Sequence, residues 1–228
     1  MNLTEKVDPA STALIVVDIQ NEFCADDGWY GKQGVDLGMM QVAVKRADSL
    51  IQEARNAGVR IVFIRSTYDD HFINEPMREL IRDFGSDDLV GKMCATGTYG
   101  ADFYLVAPEP DEPIVTKHRY SAFYGTELEV ILDAWHIKTV VLAGVMTNVC
   151  IDSAARDANF RGFHVVVVDD CTGTCTAGRD DITAAELHRH TLATIEMAIG
   201  TVTSGDAVTQ AWRAVASKQR VSVSSETN

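Results

Sequence analysis

The sequence predicts an α/β protein: an open, mostly parallel sheet with helices on both faces, a Rossmann-like three-layer sandwich in one domain over residues 1–228. Three observations carry this reading. Strand-like apolar runs alternate with helical patterns along the whole chain. The runs are continuous in Val, Ile and Leu rather than alternating with polar residues, so both faces of those strands are covered. At 228 residues the chain is long enough to bury a full core, and its 46% hydrophobic and 23% charged residues are an ordinary globular balance.

The elements follow in order. Residues 13–17, Ala-Leu-Ile-Val-Val, read as the first strand and end at Asp18. Residues 35–57 read as a long helix, closed by Gly58 where a left-handed residue commonly stops one. Residues 60–65 are a second strand and 74–84 a short helix. Residues 85–113, rich in Gly, Asp and Pro, read mostly as loop. Residues 114–116 form a short strand running into Lys117, followed by a helix over 126–135 and a strand over 139–143. In the stretch 148–161, Ile151, Ala154, Ala155 and Ala158 share one helical face. Four valines, 165–168, make the next strand. A helix over 181–197, a short strand over 201–203 and a helix over 205–216 complete the domain, and the polar tail 217–228 is expected to be flexible.

Composition excludes several classes of function. A formal charge of −13 argues against a sequence-independent nucleic-acid surface. No apolar run reaches the roughly 20 residues of a membrane span, and the N-terminal stretch has no signal-peptide core, so the chain reads as cytoplasmic. Five cysteines (24, 94, 150, 171 and 175) are an odd count that argues against a disulfide framework. The 171/175 pair has neither zinc-finger nor Cys-x-x-Cys spacing, and is expected in the loop after the valine strand, near the pocket.

In an open parallel sheet, ligands bind beyond the carboxyl ends of the strands. Three such ends carry chemistry. Cys150 follows the 139–143 strand by one turn. With Thr147 as N-cap it lies in a first helical turn, where unpaired N–H groups and the helix dipole favour the nucleophilic thiolate. The same cysteine is equally readable as a small buried apolar filler. Asp18 either caps a neighbouring turn or exchanges a proton with a nearby thiol. Lys117 is either an ordinary solvated lysine or the cation that supports both anions.

The stretches ALIVVDIQNEF, IVTKHRYSAFYGTELE and LAGVMTNVCIDSAARDANFRGFHVVVVDDCTG resemble the isochorismatase-like cysteine hydrolase superfamily over roughly residues 11–205. The resemblance implies a catalytic triad of Cys150, Asp18 and Lys117. It also implies a cis peptide bond between Val145 and Met146, and an oxyanion hole from the backbone amides of Met146 and Cys150. Two such donors aimed at one point stabilise a tetrahedral intermediate, each typically by about 3 kcal/mol. The implied reaction is cysteine-dependent hydrolysis of a C–N bond through a thioester-like intermediate with release of ammonia; it needs no redox cofactor. A homo-oligomer, dimer or tetramer, is also implied.

Within the superfamily, isochorismatases cleave a vinyl ether and lack the cysteine, so Cys150 counts against that activity. Nicotinamidases add a metal held by one Asp and two His. Here Asp69, Asp70 and His71 are present but no second His follows, so no metal is expected. The block KHRYSAFYGTELE looks most like ureidoacrylate amidohydrolase, which points to a small ureido (N-carbamoyl) or amide substrate, with nicotinamidase-type or biuret-type hydrolysis and a non-catalytic scaffold as the other readings. Arg119 is either a clamp for a substrate carboxylate or a surface ion-pair partner. Phe23, Tyr30, Tyr120 and Phe123 are candidates for the pocket wall or ordinary core. Gln20 and Asn148 complete the candidate substrate-binding set, and Gln20 with Asn21, just beyond Asp18, is placed to orient water or the amide. Residues 68–112 fit no relative closely, and that region is expected to form a lid.

Overall fold

The computed structural model describes residues 1–84, 89–176 and 179–226. Two short helices, α1 (Leu3–Lys6) and a 3-10 turn (Pro9–Ser11), lead into β1 (Thr12–Val17). Then come α2 (Asn21–Cys24), α3 (Trp29–Lys32), α4 (Gly38–Ala57), β2 (Arg60–Ser66) and α5 (Glu75–Phe84). The second half runs β3 (Ile114–Lys117), α6 (Leu128–Ala134), β4 (Thr139–Val145), α7 (Asp152–Phe160), β5 (His164–Gly173), α8 (Ala184–Ala198), β6 (Thr201–Thr203) and α9 (Gly205–Glu226).

Among the described residues the strands form one sheet in the order β3-β2-β1-β4-β5-β6, every pairing parallel. Chain direction across the sheet reverses between β1 and β4, which places the ligand crevice at their carboxyl ends. The continuous apolar strands behave as the sequence requires. All six residues of β1 and all seven of β4 are buried. Alternate side chains of β1 enter different cores: Leu14 and Val16 share one with Val44, Leu50 and Ile51 of α4 and Trp212 of α9, while Ala13, Ile15 and Val17 share the other with Leu132 of α6, Ala155 of α7 and Ile195 of α8. This is the three-layer sandwich expected, each sheet face sealed by helices.

Boundaries differ where local signals compete with tertiary ones. Gly58, at φ 70°, ends α4 as expected. β5 continues past its valines to Gly173 because its edge follows β4 through a register shift between Leu142 and Gly144. The last helix, expected to stop at 216, runs to Glu226; no Gly or Pro follows Gly205 to end it. The N-terminal turns around α1, α2 and α3 are too short to show a helical period. Gly144 is required by contact: at φ 121° it lies against β1, and a Cβ there would fall 2.1 Å from the Val17 carbonyl oxygen. Among the described residues no helix is long and apolar enough to cross a membrane.

Candidate active site

The carboxyl ends of β1, β3 and β4 deliver three side chains to one point. Lys117, the last residue of β3, is fully buried, and its Nζ lies 2.8 Å from Asp18 Oδ2 and 3.3 Å from Cys150 Sγ. The same ammonium donates to the carbonyl oxygens of Arg119 and Tyr120, each at 3.0 Å. Those carbonyls belong to the bend after β3, so Lys117 fixes its own loop as well as Asp18 and Cys150. Asp18 ends β1 in the left-handed region, φ 51°, a conformation that costs a side-chain-bearing residue on the order of 1 kcal/mol but that Asp tolerates better than most. The kink turns its carboxylate off the strand axis, where Ser66 at the end of β2 donates a hydroxyl hydrogen bond to Oδ1 at 3.0 Å.

Cys150 sits in a π-helical turn, Thr147–Ile151, between β4 and α7. Such one-turn π segments are rare and often accompany functional sites. The peptide bond entering it, Val145–Met146, is cis. The Met146 carbonyl gathers the amides of Val149 and Ile151, at 3.1 and 3.2 Å. Thr147, expected to cap this turn, makes no capping bond. Its hydroxyl is instead hydrogen-bonded to His188 Nδ1 of α8 at 2.9 Å. Half-burial holds the His188 imidazolium form down, so the ring stays neutral and serves as a fixed partner. Across the turn, Thr174 donates to Asn148 Oδ1. Two neighbouring elements thus clamp the segment that carries the sulfur.

The electrostatics correct one expectation. A thiolate favoured by the helix start is not what this environment produces. Burial pushes the Cys150 thiol up to about 12; Lys117 opposes this and Asp18 reinforces it. The residue is only 7% exposed, and loss of hydration outweighs the helix dipole. Lys117 moves in the direction that suits it. Burial alone would lower its ammonium, but Asp18 and Cys150 beside it hold it above the ordinary value. At neutral pH Cys150 is therefore a thiol and Lys117 an ammonium.

The other thiols share this pressure: burial raises Cys24, Cys94 and Cys171 as well. An unfolded thiol ionises from about pH 9, whereas these keep their protons to higher pH. Above pH ~9 the folded state binds more protons than the unfolded one, so stability falls as pH rises. We expect the Tm to decline steadily from about pH 9, with the share due to Cys150 continuing to about pH 12, the value to which its thiol is pushed. Calorimetry in pH steps checks this, and a Tm flat from about pH 8 to 11 would contradict the assignment of buried, neutral thiols.

The cluster opens into a cavity of about 300 Å³. Asp18, Cys150, Val145, Met146 and Asn148 form its floor, and Phe23, Tyr30 and Tyr120, expected at the wall, are there. The cavity also draws on residues the sequence reading did not single out. Met77, Leu80 and Ile81 come from α5, whose i, i+3, i+4 spacing marks one apolar face, so part of the 68–112 region does cover the site. Trp29, Tyr68, Met93, Arg179 and Leu187 carried no comparable signal. Cys175 lines the cavity, with its Sγ 3.6 Å from Met146 Sδ, while Cys171 is buried in β5 beside Asp170.

Several expected wall residues lie elsewhere. Phe123 is buried against Phe163, with Arg161 over its ring, and is core. Arg119 is not among the lining residues; its Nη1 donates to the carbonyls of Phe72 and His118 and lies 4.0 Å from Met77 Sδ of α5. Gln20 is fully buried; its amide donates to the carbonyls of Ser66 and Ala101 and accepts from the Ser66 amide, tying β2 to the loop before β3. Asn21 bonds the Tyr99 carbonyl. His71 is exposed with its ring against Phe72, Asp69 accepts from Thr96, and Asp70 pairs with Arg78. Among the described residues no group of His, Cys, Asp or Glu is arranged to hold a metal ion.

The comparisons with known proteins agree with this fold. Residues 12–207 match the isochorismatase domain family. The ureidoacrylate amidohydrolase RutB of Pantoea ananatis is 31% identical over 176 residues, 72% of this chain and 70% of that protein. The crystal structure of a cysteine hydrolase from Pseudomonas syringae pv. phaseolicola superimposes with a TM-score of 0.80 at 28% identity, covering 92% of this chain and 96% of that one. The N-carbamoylsarcosine amidase of Thermoplasma acidophilum does so with a TM-score of 0.66 at 26% identity, covering 86% and 97%. With a parallel sheet in the order β3-β2-β1-β4-β5-β6 and a family match over most of its length, the chain belongs to the isochorismatase family and is an isochorismatase-like hydrolase.

Proposed function

We propose that the protein is a cysteine-dependent amidohydrolase that cleaves the C–N bond of a small ureido or amide substrate and releases ammonia. The observation that carries this is the buried cluster at the cavity floor, with Lys117 Nζ 2.8 Å from Asp18 and 3.3 Å from Cys150. Relatives named for hydrolysis of ureidoacrylate and N-carbamoylsarcosine support the bond type.

The protonation states dictate the order of events. The resting sulfur holds its proton, so Asp18 removes it as the sulfur attacks the carbonyl carbon. Lys117 stays charged throughout and balances the negative charge as it passes from carboxylate to sulfur and then to the tetrahedral oxygen. The backbone amides of Met146 and Cys150 receive that oxygen. Asp18, now protonated, gives its proton to the leaving nitrogen; the C–N bond breaks and Cys150 is left as a thioester or thiocarbamate. Water deprotonated by Asp18 attacks this carbonyl, the C–S bond breaks, and the proton returns to sulfur.

Rapid quenching during turnover of a ureido substrate, followed by peptide mass spectrometry, tests the scheme. The expected result is a carbamoyl or acyl adduct on the Cys150 peptide alone. Turnover with no adduct on that peptide at any quench time, and with adduct on another cysteine, would refute it.

A further inference from the structure

We propose that the substrate presents an uncharged, bulky apolar group, aromatic or branched aliphatic, beside its scissile C–N bond, rather than the carboxylate of a ureido acid. This rests on the hydrolase reading above and narrows its substrate class. Much of the lining of the cavity that holds Cys150 is apolar: Phe23, Trp29, Met77, Leu80, Ile81 and Leu187. Such a wall gains free energy only from apolar surface, about 0.8 kcal/mol for each methylene it covers, or about fourfold in affinity. The tyrosines that interrupt it, Tyr30, Tyr68 and Tyr120, are held as neutral phenols by burial.

A substrate carboxylate would need a cation, because burying an unpaired anion is costly. Among the described residues the cations near the cavity are already engaged. Lys117 is shared between Asp18, Cys150 and two carbonyls. Arg119, the expected clamp, is not among the lining residues, and its Nη1 is held by the Phe72 and His118 carbonyls and lies 4.0 Å from Met77 Sδ. Arg179 stands at the mouth, two-thirds exposed, with its Nε and Nη2 paired to the Asp181 carboxylate. The net charge of −13 adds a long-range field that disfavours anions. Leu80, 46% exposed at the rim, leaves apolar surface for a ligand to cover.

Matched pairs test this: 3-phenylpropanamide against succinamic acid, and benzylurea against ureidoacetate. Affinity is measured by calorimetry on Cys150→Ala protein, which separates binding from chemistry, and ammonia release is measured on the unmodified enzyme. The phenyl member is expected to bind at least about tenfold tighter in each pair, with the same order in kcat/KM. Leu80→Lys, which adds a cation at the rim, is expected to shift the ratio towards the acid. An acid that binds as tightly as its phenyl partner, or binding of neither, overturns the inference. A binding preference as expected but no ammonia from any compound would leave the apolar preference standing and sink the hydrolase reading instead.

Discussion

Cys150→Ala is expected to abolish turnover, with a loss of at least about 10⁴-fold, while leaving the fold intact. Removing one member of a nucleophile–base unit disables the unit as a whole, and such losses typically reach 10⁴ to 10⁶. The structural cost is small for a definite reason. The sulfur is held as a neutral thiol in a packed turn, so its removal strands no charge and leaves a void of one atom. That is worth about 1 kcal/mol and a Tm shift of a few degrees in a domain of this size. Cys150→Ser keeps the shape but is expected to fail as well, because a serine hydroxyl is far harder for Asp18 to deprotonate. Ammonia release and thermal melts on the same preparations check both. An alanine variant retaining a tenth of the activity would remove the nucleophile from the scheme, whatever the melts show.

How much of this was legible in the chain follows from which interactions are local. The strands are written in runs such as 13–17 and 165–168, because a strand covered on both faces must be apolar at consecutive positions. Asp18, Lys117 and Cys150 were found because a charge or a thiol directly after such a run has few places to go except the sheet's rim. What failed depends on contacts distant in sequence. Thr147 has the form of an N-cap, yet its hydroxyl meets His188, 41 residues later, and the turn it opens is a π turn. Arg119 and Phe123 lie only two and six residues past Lys117, but the bend after β3 takes one to the Phe72 carbonyl and the other into the α6–α7 core. No periodicity shows which way a bend will turn. The apolar face of α5 was readable in Met77, Leu80 and Ile81; what was missing was the knowledge that this helix crosses the site.

Lys117→Met is expected to destabilise the protein by about 3–5 kcal/mol, a fall in Tm of roughly 10 °C, besides removing activity. The lysine and Asp18 side chains are 0% and 2% exposed, so neither can borrow hydration when the other is lost. Methionine fills most of the volume left by the aliphatic stem, so the penalty is electrostatic: a buried carboxylate with the Ser66 hydroxyl but no cation, and two loop carbonyls without a donor. The double variant Lys117→Met with Asp18→Asn separates the causes. Neutralising the stranded carboxylate is expected to restore most of the lost stability in denaturant titrations while turnover stays absent. A single variant within about 1 kcal/mol of the parent would mean that water reaches the pair, and the sealed cluster on which the mechanism relies would be wrong. If the double variant instead recovers fully and remains inert, the ion pair is retained for what it does to the sulfur and not for what it adds to the fold, since a buried pair replaced by neutral groups of similar shape often costs nothing.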